Sequence, residues 1–280
     1  MISIVIPAHN EASVIARLLE SITQDAEPNE LEIIVGCNGC TDETAQICRD
    51  FHYPVVVCET EKASKVAGLN IADRAATCYP RLYIDADVQI SLHTIREVAN
   101  VLQSDSVLAS APSLQVDVSR SSWLVRCFYT VWQRRPYMQQ AMVGSGLYAV
   151  SEAGRARFLE FPEIISDDGY FLSQFARHER RTAPGYFTIV APTNLWDLIR
   201  VKTRSRLGLW QLETRFPKTN IREKTSIYSA AVEILKCPRL IPCAVVYLAV
   251  VAITRYRAKR MLQDLDEYKW ERDESSRNKA

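Results

Sequence analysis

The first 85 residues alternate short apolar runs with segments of helical periodicity. The apolar runs, which predict strands, are residues 2–7, 31–36, 54–59 and 81–85. The segments that predict helices are residues 11–23, 41–51 and 62–77. Nearly continuous apolar strands that alternate with helices are typical of a parallel sheet covered on both faces. The pattern therefore predicts an α/β fold with a mostly parallel sheet flanked by helices.

The pattern after residue 89 is less regular. Helical periodicity recurs at residues 90–103, 121–137, 166–178 and 194–216. Residues 106–118 alternate as a strand does, and a glycine loop leads into a further strand within 144–151. We expect the aromatic residues of the second helix, Trp123, Phe128, Tyr129 and Trp132, to pack in the core. No internal repeat or low-complexity linker is found.

The C-terminal part carries the most apolar stretch, residues 240–253. We expect one domain over residues 1–219 and a helical, membrane-proximal tail over 220–280. About 14 apolar residues fall short of the roughly 20 that a spanning helix needs. The basic residues of 255–260 suit anionic lipid headgroups. A buried helix, an interfacial helix and a marginal span remain open, and we favour an interfacial helix.

Composition and charge narrow the class of protein. With 48% hydrophobic and 24% charged residues, the 280-residue chain has the composition of a folded globular protein. Its net charge of +1 gives no global basic field, so we expect no nucleic-acid partner. The first strand begins at once, without a basic leader, so we expect a cytoplasmic protein, associated with the inner face of the membrane through its tail.

The eight cysteines include one C-x-x-C pair, Cys37 and Cys40. A zinc site would need a second pair or histidines at ligand spacing, and the sequence supplies neither. A thioredoxin-like redox pair is an alternative. We expect reduced thiols in the core and loops of a cytosolic protein instead.

Polar residues follow three of the predicted strands, where ligands bind in α/β sheets. The loops carry Pro7, Ala8, Asn10 and Glu11 after the first strand, Asn38 and Asp42 after the second, and Asp85 and Asp87 after the fourth. A D-x-D pair by itself is usually a solvated turn. Because three such loops end at one edge of a sheet, we expect them to form one crevice.

Seven segments match a known family in its own order. They are "VIPAHNEA", "CNGCTDETA", "SKVAGLN", "YIDADV", "GSGLYAVS", "SDDGYF" and "RVKTRSR". Over roughly residues 1–216 the chain resembles glycosyltransferase family 2, whose members have the GT-A fold. The resemblance implies inverting transfer of a sugar from a nucleotide diphosphate sugar to a hydroxyl acceptor.

The resemblance also implies the roles of the acids. Asp87 would bind the divalent cation, Mn²⁺ or Mg²⁺, and Asp85 would reach toward the ribose or the metal. Carboxylate oxygens suit these ions, which neutralise a departing diphosphate. Asp168 would be the general base, with Asp167 as its rival, because inversion needs a carboxylate to accept the acceptor's proton. Alternatively, Ser166 or Asp167 only caps the following helix.

Basic residues would contact the diphosphate. Arg204 and Arg206 would clamp its oxygens, and Lys65 would lie near the nucleotide. Arg200 and Lys202 belong to the same run, which is otherwise read as a solvated face or a phospholipid contact. The family's Q-x-x-R-W signature is absent, which favours single-sugar addition over processive synthesis.

Two further segments bear on the donor and acceptor. Gly144, Ser145 and Gly146 resemble the acceptor-side loop of the family. The alternative to core packing for Trp123, Phe128, Tyr129 and Trp132 is a wall that faces a lipid or sugar acceptor. Cys37 stands where the family commonly has an aspartate that contacts the base, so the resemblance does not identify uracil, and guanine or thymine stays open. The resemblance suggests polysaccharide or glycolipid assembly, with a sugar or lipid-linked acceptor.

Three other functions compete with this reading. A dinucleotide-dependent oxidoreductase would need G-x-G-x-x-G in the first turn, and a sugar nucleotidyltransferase would need a glycine- and basic-rich loop there. The first turn, "IPAHNEAS", has neither pattern. The remaining alternative is a catalytically inactive nucleotide-sugar-binding or scaffold protein of the same fold.

Overall fold

The computed structural model describes residues 1–135, 138, 142, 145–217 and 238–262. Its strands are β1 (Ile2–Ala8), β2 (Leu31–Asn38), β3 (Val55–Thr60), β4 (Arg81–Ile84), β5 (Ala109–Asp117), β6 (Leu147–Val150) and β7 (Arg180–Val190). Its α-helices are α1 (Ile15–Thr23), α2 (Thr44–Arg49), α3 (Lys65–Ala75), α4 (Leu92–Val101), α5 (Trp123–Trp132), α6 (Glu152–Arg155), α7 (Asp167–Ser173), α8 (Leu195–Arg215) and α9 (Ile241–Met261). Short 3₁₀ turns precede β7 and α9.

The seven strands form one mixed sheet in the order β3-β2-β1-β4-β6-β5-β7. The first four pair in parallel, as the alternation of strands and helices predicts. β6 runs antiparallel to both β4 and β5. Because of this reversal, the start of β6 lies beside the carboxyl end of β4, with Leu147 opposite Ile84. The parallel half was therefore predicted. A strand within residues 144–151 was also predicted, but its antiparallel direction was not.

Burial explains why the parallel strands read as continuous apolar runs. All seven residues of β1 are buried, and so are seven of the eight in β2. On α1 the buried residues include Leu18, Leu19 and Ile22, the predicted apolar face. Each such side chain contributes roughly 1.5–3 kcal/mol through its burial. The core of the sheet thus follows directly from the hydrophobic pattern.

Two glycines bring α3 against β2. A Cβ atom on Gly36 would lie only 2.0 Å from the carbonyl oxygen of Gly68. A Cβ atom on Gly68 would lie 2.7 Å from the carbonyl oxygen of Gly36. Neither position can hold a side chain without moving backbone, so helix and strand pack through bare main chain.

Element boundaries differ from the predicted ones at polar turns. α1 begins at Ile15, four residues later than predicted, because Asn10 has a positive φ of 52° and the carbonyl oxygen of Glu11 accepts hydrogen bonds from two following amides. β7 was not predicted. Only Ala183 and Phe187 are buried along most of its length, so the alternation that indicates a strand is missing. Gly185, with φ of 87°, interrupts it further.

The chain divides into two compact units. The first comprises Met1–Gln115, Met142–Glu163 and Tyr170–Ile189. The second comprises Val116–Ala141, Ile164–Gly169 and Val190–Ala280. The expected boundary at residue 219 and most of the expected tail, 220–280, lie outside the described residues, but α9 is described and belongs to the second unit.

The core of the second unit is aromatic. Phe128 and Tyr129 of α5 are buried, and the Phe128 ring stacks on Tyr247 of α9 at 5.2 Å. Trp132 is half-buried, whereas Trp123 is 62% exposed. The expected core packing is therefore confirmed for the two buried rings and is wrong for Trp123, which lies at the first turn of α5.

Helix α9 extends the predicted apolar segment through the basic residues that follow it. It is 21 residues long, and Ala244, Tyr247, Val250, Thr254 and Ala258 form its buried face. Residues Pro238–Met261 are long and apolar enough to cross a membrane, with a mean hydropathy of 1.5 over 18 residues. A core helix of a soluble protein can be equally long and apolar. The distribution of buried and exposed residues around the helix indicates its environment.

Candidate active site

In the first unit, the loops after β1 and β2 are joined by hydrogen bonds. His9 Nδ1 lies 2.5 Å from the carbonyl oxygen of Asn38. Asn10 Oδ1 accepts from the backbone N–H of Thr41 at 2.7 Å. The predicted convergence of these two loops is therefore present. His9 was not among the predicted site residues, although it lies between Ala8 and Asn10, which were.

Asp42 holds the same two loops together. Its Oδ1 accepts from the backbone N–H of Thr44 at 3.0 Å and from the Thr44 hydroxyl at 2.5 Å. Its Oδ2 accepts from the backbone N–H of Ala12 at 3.1 Å, and Thr44 Oγ1 accepts from the backbone N–H of Glu11 at 2.8 Å. These bonds give Asp42 a structural task at the start of α2. The spacing of Asp42 and Thr44 is a sequence signal for this turn, because aspartate side chains often accept a hydrogen bond from the backbone two residues on.

The last residues of β1 and β2 are buried in the sheet. Pro7 pairs with Gly36, and Ala8 pairs with Cys37. Asn38 is only 2% exposed, and its Oδ1 has no hydrogen-bond partner among the described residues. A Cβ on Gly68 would lie 2.6 Å from this oxygen, so Asn38 lies beneath α3.

Asp85 forms an ion pair at the carboxyl end of β4. Lys65 Nζ, from the first residue of α3, lies 2.7 Å from Asp85 Oδ1. The backbone N–H of Asp85 donates to the carbonyl oxygen of Gly146 at 2.8 Å. Gly146 has φ of 98°, which favours glycine, and a Cβ there would lie 3.5 Å from Asp85 Oδ2. The structure thus brings together Lys65, Asp85 and one glycine of the predicted acceptor-side loop, while Gly144 lies outside the described residues.

Asp85 and Asp87 supply the carboxylate oxygens that this turn could offer to a metal ion. The turn is closed by the backbone N–H of Val88, which donates to the carbonyl oxygen of Asp85 at 3.1 Å. In the described part of the chain, no group of three or more histidine, cysteine or acidic side chains could hold a metal. Two carboxylates suit Mg²⁺ or Mn²⁺, since these ions keep positions for phosphate and water oxygens.

Asn70 and Cys37 have packing roles. The amide of Asn70 donates to the carbonyl oxygen of Phe161 at 2.9 Å and accepts from its N–H at 3.0 Å. Cys37 is buried, and burial together with neighbouring thiols raises the pKa of its thiol far above the usual range. A thiol that stays protonated is a poor redox nucleophile, which argues against a thioredoxin-like pair.

In the second unit, Asp167 and Asp168 begin α7. Asp167 is buried, and Asp168 is half-buried. Asp168 Oδ1 accepts from the Ser166 hydroxyl at 2.8 Å and from the backbone N–H of Gly169 at 2.7 Å. Ser166 thus donates to Asp168 here, and the two bonds fix the orientation of that carboxyl group.

The segment before α7 packs on α8. The backbone N–H of Ile165 donates to Gln211 Oε1 at 2.8 Å. A Cβ on Gly208 would lie 3.0 Å from Ile165 Cγ2, and one on Gly169 would lie 2.9 Å from Leu212 Cδ2. Sequence reasoning missed these anchors, because Gly208 and Gln211 acquire their meaning only from the contact.

Arg204 and Arg206 lie on different sides of α8. Arg204 is four residues before Gly208 and so shares the face that packs against the segment before α7. Arg206 is two residues further on, which turns it by about 200° around the helix. Both arginines are half-buried. Arg200, one turn earlier than Arg204, pairs with Asp197 at 3.2 Å.

Lys202 lies among aromatic rings instead of on a solvated face. Its Nζ is 4.3 Å from the ring centroid of Trp132, 4.9 Å from that of Tyr129 and 5.5 Å from that of Phe128. Burial and the charge of Arg204 lower the pKa of Lys202 to about 7. The reading of the whole run as a solvated basic face is therefore wrong at Lys202.

Two of three comparisons relate the chain to known proteins. The sequence profile described as "Glycosyl transferase family 2" matches residues 3–155, that is, 153 of the 280 residues. The comparison with curated proteins found no match. Of the solved structures, one similar protein is the mannosyltransferase PcManGT from Pyrobaculum calidifontis in complex with GDP-Man and Mn²⁺, at 22% identity and a TM-score of 0.63. The similarity covers 96% of this chain and 81% of that one.

Two further structures are similar. Glucosyl-3-phosphoglycerate synthase from Mycobacterium tuberculosis, in complex with Mn²⁺, UDP and glucosyl-3-phosphoglycerate, has 20% identity and a TM-score of 0.54. The similarity covers 80% of this chain and 81% of that chain. TarS 1–349 from S. aureus has 15% identity and a TM-score of 0.53, with 97% and 93% covered. At these identities the similarity shows the fold, which confirms the predicted GT-A architecture. With more than half of its residues matched by the family profile, the chain belongs to glycosyl transferase family 2.

Proposed function

We propose that the chain transfers a sugar, with inversion, from a nucleotide diphosphate sugar to a hydroxyl acceptor. The observation that carries the proposal is the Lys65–Asp85 ion pair at the end of β4, beside Gly146 and at the same sheet edge as the joined loops after β1 and β2. A cation, a carboxylate and a glycine main chain at this edge suit a diphosphate and a ribose.

A divalent cation, Mn²⁺ or Mg²⁺, completes the donor site in this proposal. Asp87 and Asp85 would hold it, and when bound it would neutralise charge on the diphosphate. The structures of PcManGT and of the mycobacterial synthase contain Mn²⁺, which supports the same requirement here. Because Lys65 already balances Asp85, we assign the larger share of metal binding to Asp87.

Asp168 is the proposed general base. It takes the proton of the acceptor hydroxyl while that oxygen bonds to the anomeric carbon and the bond to the diphosphate breaks. The bonds from Ser166 and Gly169 orient its carboxyl group for this task. Asp167 is more deeply buried, which makes it the weaker candidate.

The departing diphosphate needs positive charge. Lys65 supplies it beside Asp85, and Arg204 supplies it by the position of the arginine run in the family. Arg206 lies on another side of α8, so we give it a smaller role. Asn10, Glu11, Asn38 and Asp42 shape the loops of the nucleotide pocket, with Pro7 and Ala8 as its buried floor.

The proposed acceptor is a hydroxyl on a sugar or a lipid-linked sugar, in polysaccharide or glycolipid assembly. We place the reaction in the cytoplasm at the inner face of the membrane, because α9 is apolar and ends in basic residues. Absence of the Q-x-x-R-W signature supports addition of a single sugar.

The first test measures thermal stability with UDP, GDP, TDP and CMP, each with and without Mn²⁺, for the wild type, Asp87→Asn and the exposed control Asp105→Asn. A diphosphate at 100 times its Kd stabilises by about 2.7 kcal/mol, or about 5 °C here. We expect one Mn²⁺-dependent shift, lost in Asp87→Asn and kept in the control. Equal shifts in all three proteins would refute the metal role of Asp87.

The base is tested with Asp168→Asn and Asp167→Asn, using the diphosphate that gave the shift and its sugar conjugates as donors. We expect Asp168→Asn to lower kcat by about 10²–10⁴-fold while the diphosphate still binds. If only Asp167→Asn loses turnover, Asp167 is the general base and Asp168 is not. If neither does, the proposed mechanism is wrong.

A further inference from the structure

The outward side of α9 is apolar along most of its length. Five large hydrophobic residues there are exposed, namely Ile241, Val245, Leu248, Ile253 and Tyr256, with exposed fractions of 43–63%. We refer to these five residues as the outer face of α9. Soluble proteins seldom leave so continuous an apolar stripe in water, so it marks an interaction site.

The outer face lies opposite the side of α9 that packs in its own unit. At about 100° per residue, Val245, Leu248 and Tyr256 cluster on one side, and Tyr247, Val250 and Thr254 of the buried face on the other. The Tyr247 hydroxyl accepts a hydrogen bond from Arg135 at 2.8 Å, and its ring stacks on Phe128. The helix is therefore held in place from one side and remains exposed on the other.

The same outward side becomes basic at its C-terminal end. Arg255, Lys259 and Arg260 are all exposed. Lys259 lies on the same side as Val245 and Leu248, since 14 and 11 residues each bring the helix close to a whole number of turns. The side chain of Arg260 stacks on the Tyr256 ring at 4.7 Å. An apolar stripe of about four turns thus ends in a cluster of positive charge.

We propose that the outer face of α9 docks into the surface of a bilayer that contains anionic lipids. The helix lies in the plane of the membrane, with the stripe among the acyl chains and the basic cluster on the phosphate groups. The proposal deepens the proposed function, on which it rests for the lipid-borne acceptor. It fixes which side of the second unit faces the membrane.

The faces of α9 favour this arrangement over a membrane span. A spanning helix buries all of its sides in lipid or protein, and the three cations would lie within the apolar thickness of about 30 Å. From Ile241 to Tyr256 the apolar stripe is only about 22 Å long at 1.5 Å per residue. A second copy of the chain fits less well, because its own basic cluster would meet either the same cluster or the apolar stripe.

The test is co-sedimentation of the full chain with phosphatidylcholine vesicles that contain 30% phosphatidylglycerol, and with pure phosphatidylcholine vesicles. No donor or acceptor is present, so the result does not depend on sugar transfer. We expect binding to the anionic vesicles, weakened by added salt. Leu248→Asp should weaken it at least tenfold, and the double change Arg255→Glu/Lys259→Glu about 30-fold or more.

Matched controls separate the docking face from general effects. Leu159→Asp alters a 92% exposed leucine of the first unit, and Arg181→Glu alters an exposed arginine of β7. Both should bind vesicles as the wild type does. The transfer-deficient Asp168→Asn should also bind normally, which distinguishes failure of docking from failure of the proposed function.

Several results would overturn the proposal. They are absence of wild-type binding, equal loss in the Leu159→Asp control, or binding that resists carbonate extraction at high pH, as a spanning helix would. A dimer in light scattering that Leu248→Asp dissociates, without vesicle binding, would assign the outer face to a second copy instead.

Discussion

At the scale of single residues, the most demanding group is the buried acid Asp73. Its Oδ1 lies 2.6 Å from Arg81 Nη1 and accepts from the Tyr83 hydroxyl at 2.7 Å. Its Oδ2 pairs with Arg155. Burial raises the pKa of Asp73, but the bonds from Arg155 and Tyr83 and the charge of Arg81 outweigh it and lower the pKa below its ordinary value.

We therefore expect Asp73→Asn to destabilise the chain by about 3–5 kcal/mol, because the buried guanidinium of Arg81 and the half-buried one of Arg155 lose their counterion. Urea denaturation at pH 7 measures the loss. The control Glu160→Gln breaks the exposed pair with Arg74 and should cost less than about 1 kcal/mol.

The pH dependence of the same variant checks the pKa of Asp73. A group whose pKa is lowered on folding stabilises the folded state above its unfolded pKa, about 3.9, and loses this effect as the pH falls through the folded value. The difference between wild type and Asp73→Asn should stay constant from pH 7 to about 5 and narrow below about 4. A difference that widened on acidification would contradict the lowered pKa.

Lys202 should show the opposite trend. Its folded pKa of about 7 lies below the ordinary value of 10.5, so protonation favours the unfolded chain, and wild-type stability rises between those two pH values. Lys202→Met removes the cost of burying the charge, which the surrounding rings offset in part. We expect a gain of about 1–2 kcal/mol at pH 6 that shrinks toward pH 10, measured by urea denaturation. The exposed Lys62→Met should show no such trend.

At the scale of elements, the contact of β2 with α3 reverses a general rule. Glycine within a helix is usually less stable than alanine by about 1 kcal/mol. At Gly68 a methyl group would meet Asn38 Oδ1 at 2.6 Å and the Gly36 carbonyl oxygen at 2.7 Å.

We expect Gly68→Ala to destabilise the chain by about 1–3 kcal/mol, since strand and helix must separate to admit the methyl group. Because α3 begins with Lys65, the same variant should also weaken the Mn²⁺-dependent thermal shift by a nucleoside diphosphate. Arg74→Ala, on the exposed side of α3, is the control for both measurements. An unchanged or higher stability in Gly68→Ala would show that the contact can relax.

The elements that sequence reasoning predicted are those whose burial follows a regular period. β1, β2 and α1 bury whole runs or one helical face, so their positions could be predicted to within a few residues. β7 buries few residues and contains Gly185, so it had no signal. The reversal of β6 depends on pairing between distant strands, which a local pattern does not encode.

The candidate site was also predicted only in part. Asp85, Lys65 and the loops after β1 and β2 were predicted, since the rule for sheet edges and the motif order both apply there. The partners that hold them were not, because His9, Thr44 and Gln211 are ordinary polar residues until folding brings them to an acceptor or donor. The sequence indicates which side chains could react or bind a ligand. The partners that orient these side chains depend on tertiary packing.

At the scale of the whole molecule, charge and the apolar stripe act together. The net charge is +1 at pH 7, so the molecules repel one another weakly. At more acidic pH the chain gains positive charge, and the repulsion between molecules becomes stronger. We expect light scattering by concentrated protein to be strongest near pH 7.5 and weaker near pH 5.5. Leu248→Asp should reduce it at pH 7.5, whereas Leu159→Asp should reduce it less. Scattering that was independent of pH would show that net charge does not control association.

The division into two units has a consequence for synthesis. The chain passes between the units five times, after residues 115, 141, 163, 169 and 189. The first unit cannot be complete until residue 189 has left the ribosome, and the second must wait for α9. Segments of the second unit emerge among those of the first and must remain without their partners until α9 has been made. The first unit can therefore complete its fold while the second is still being made.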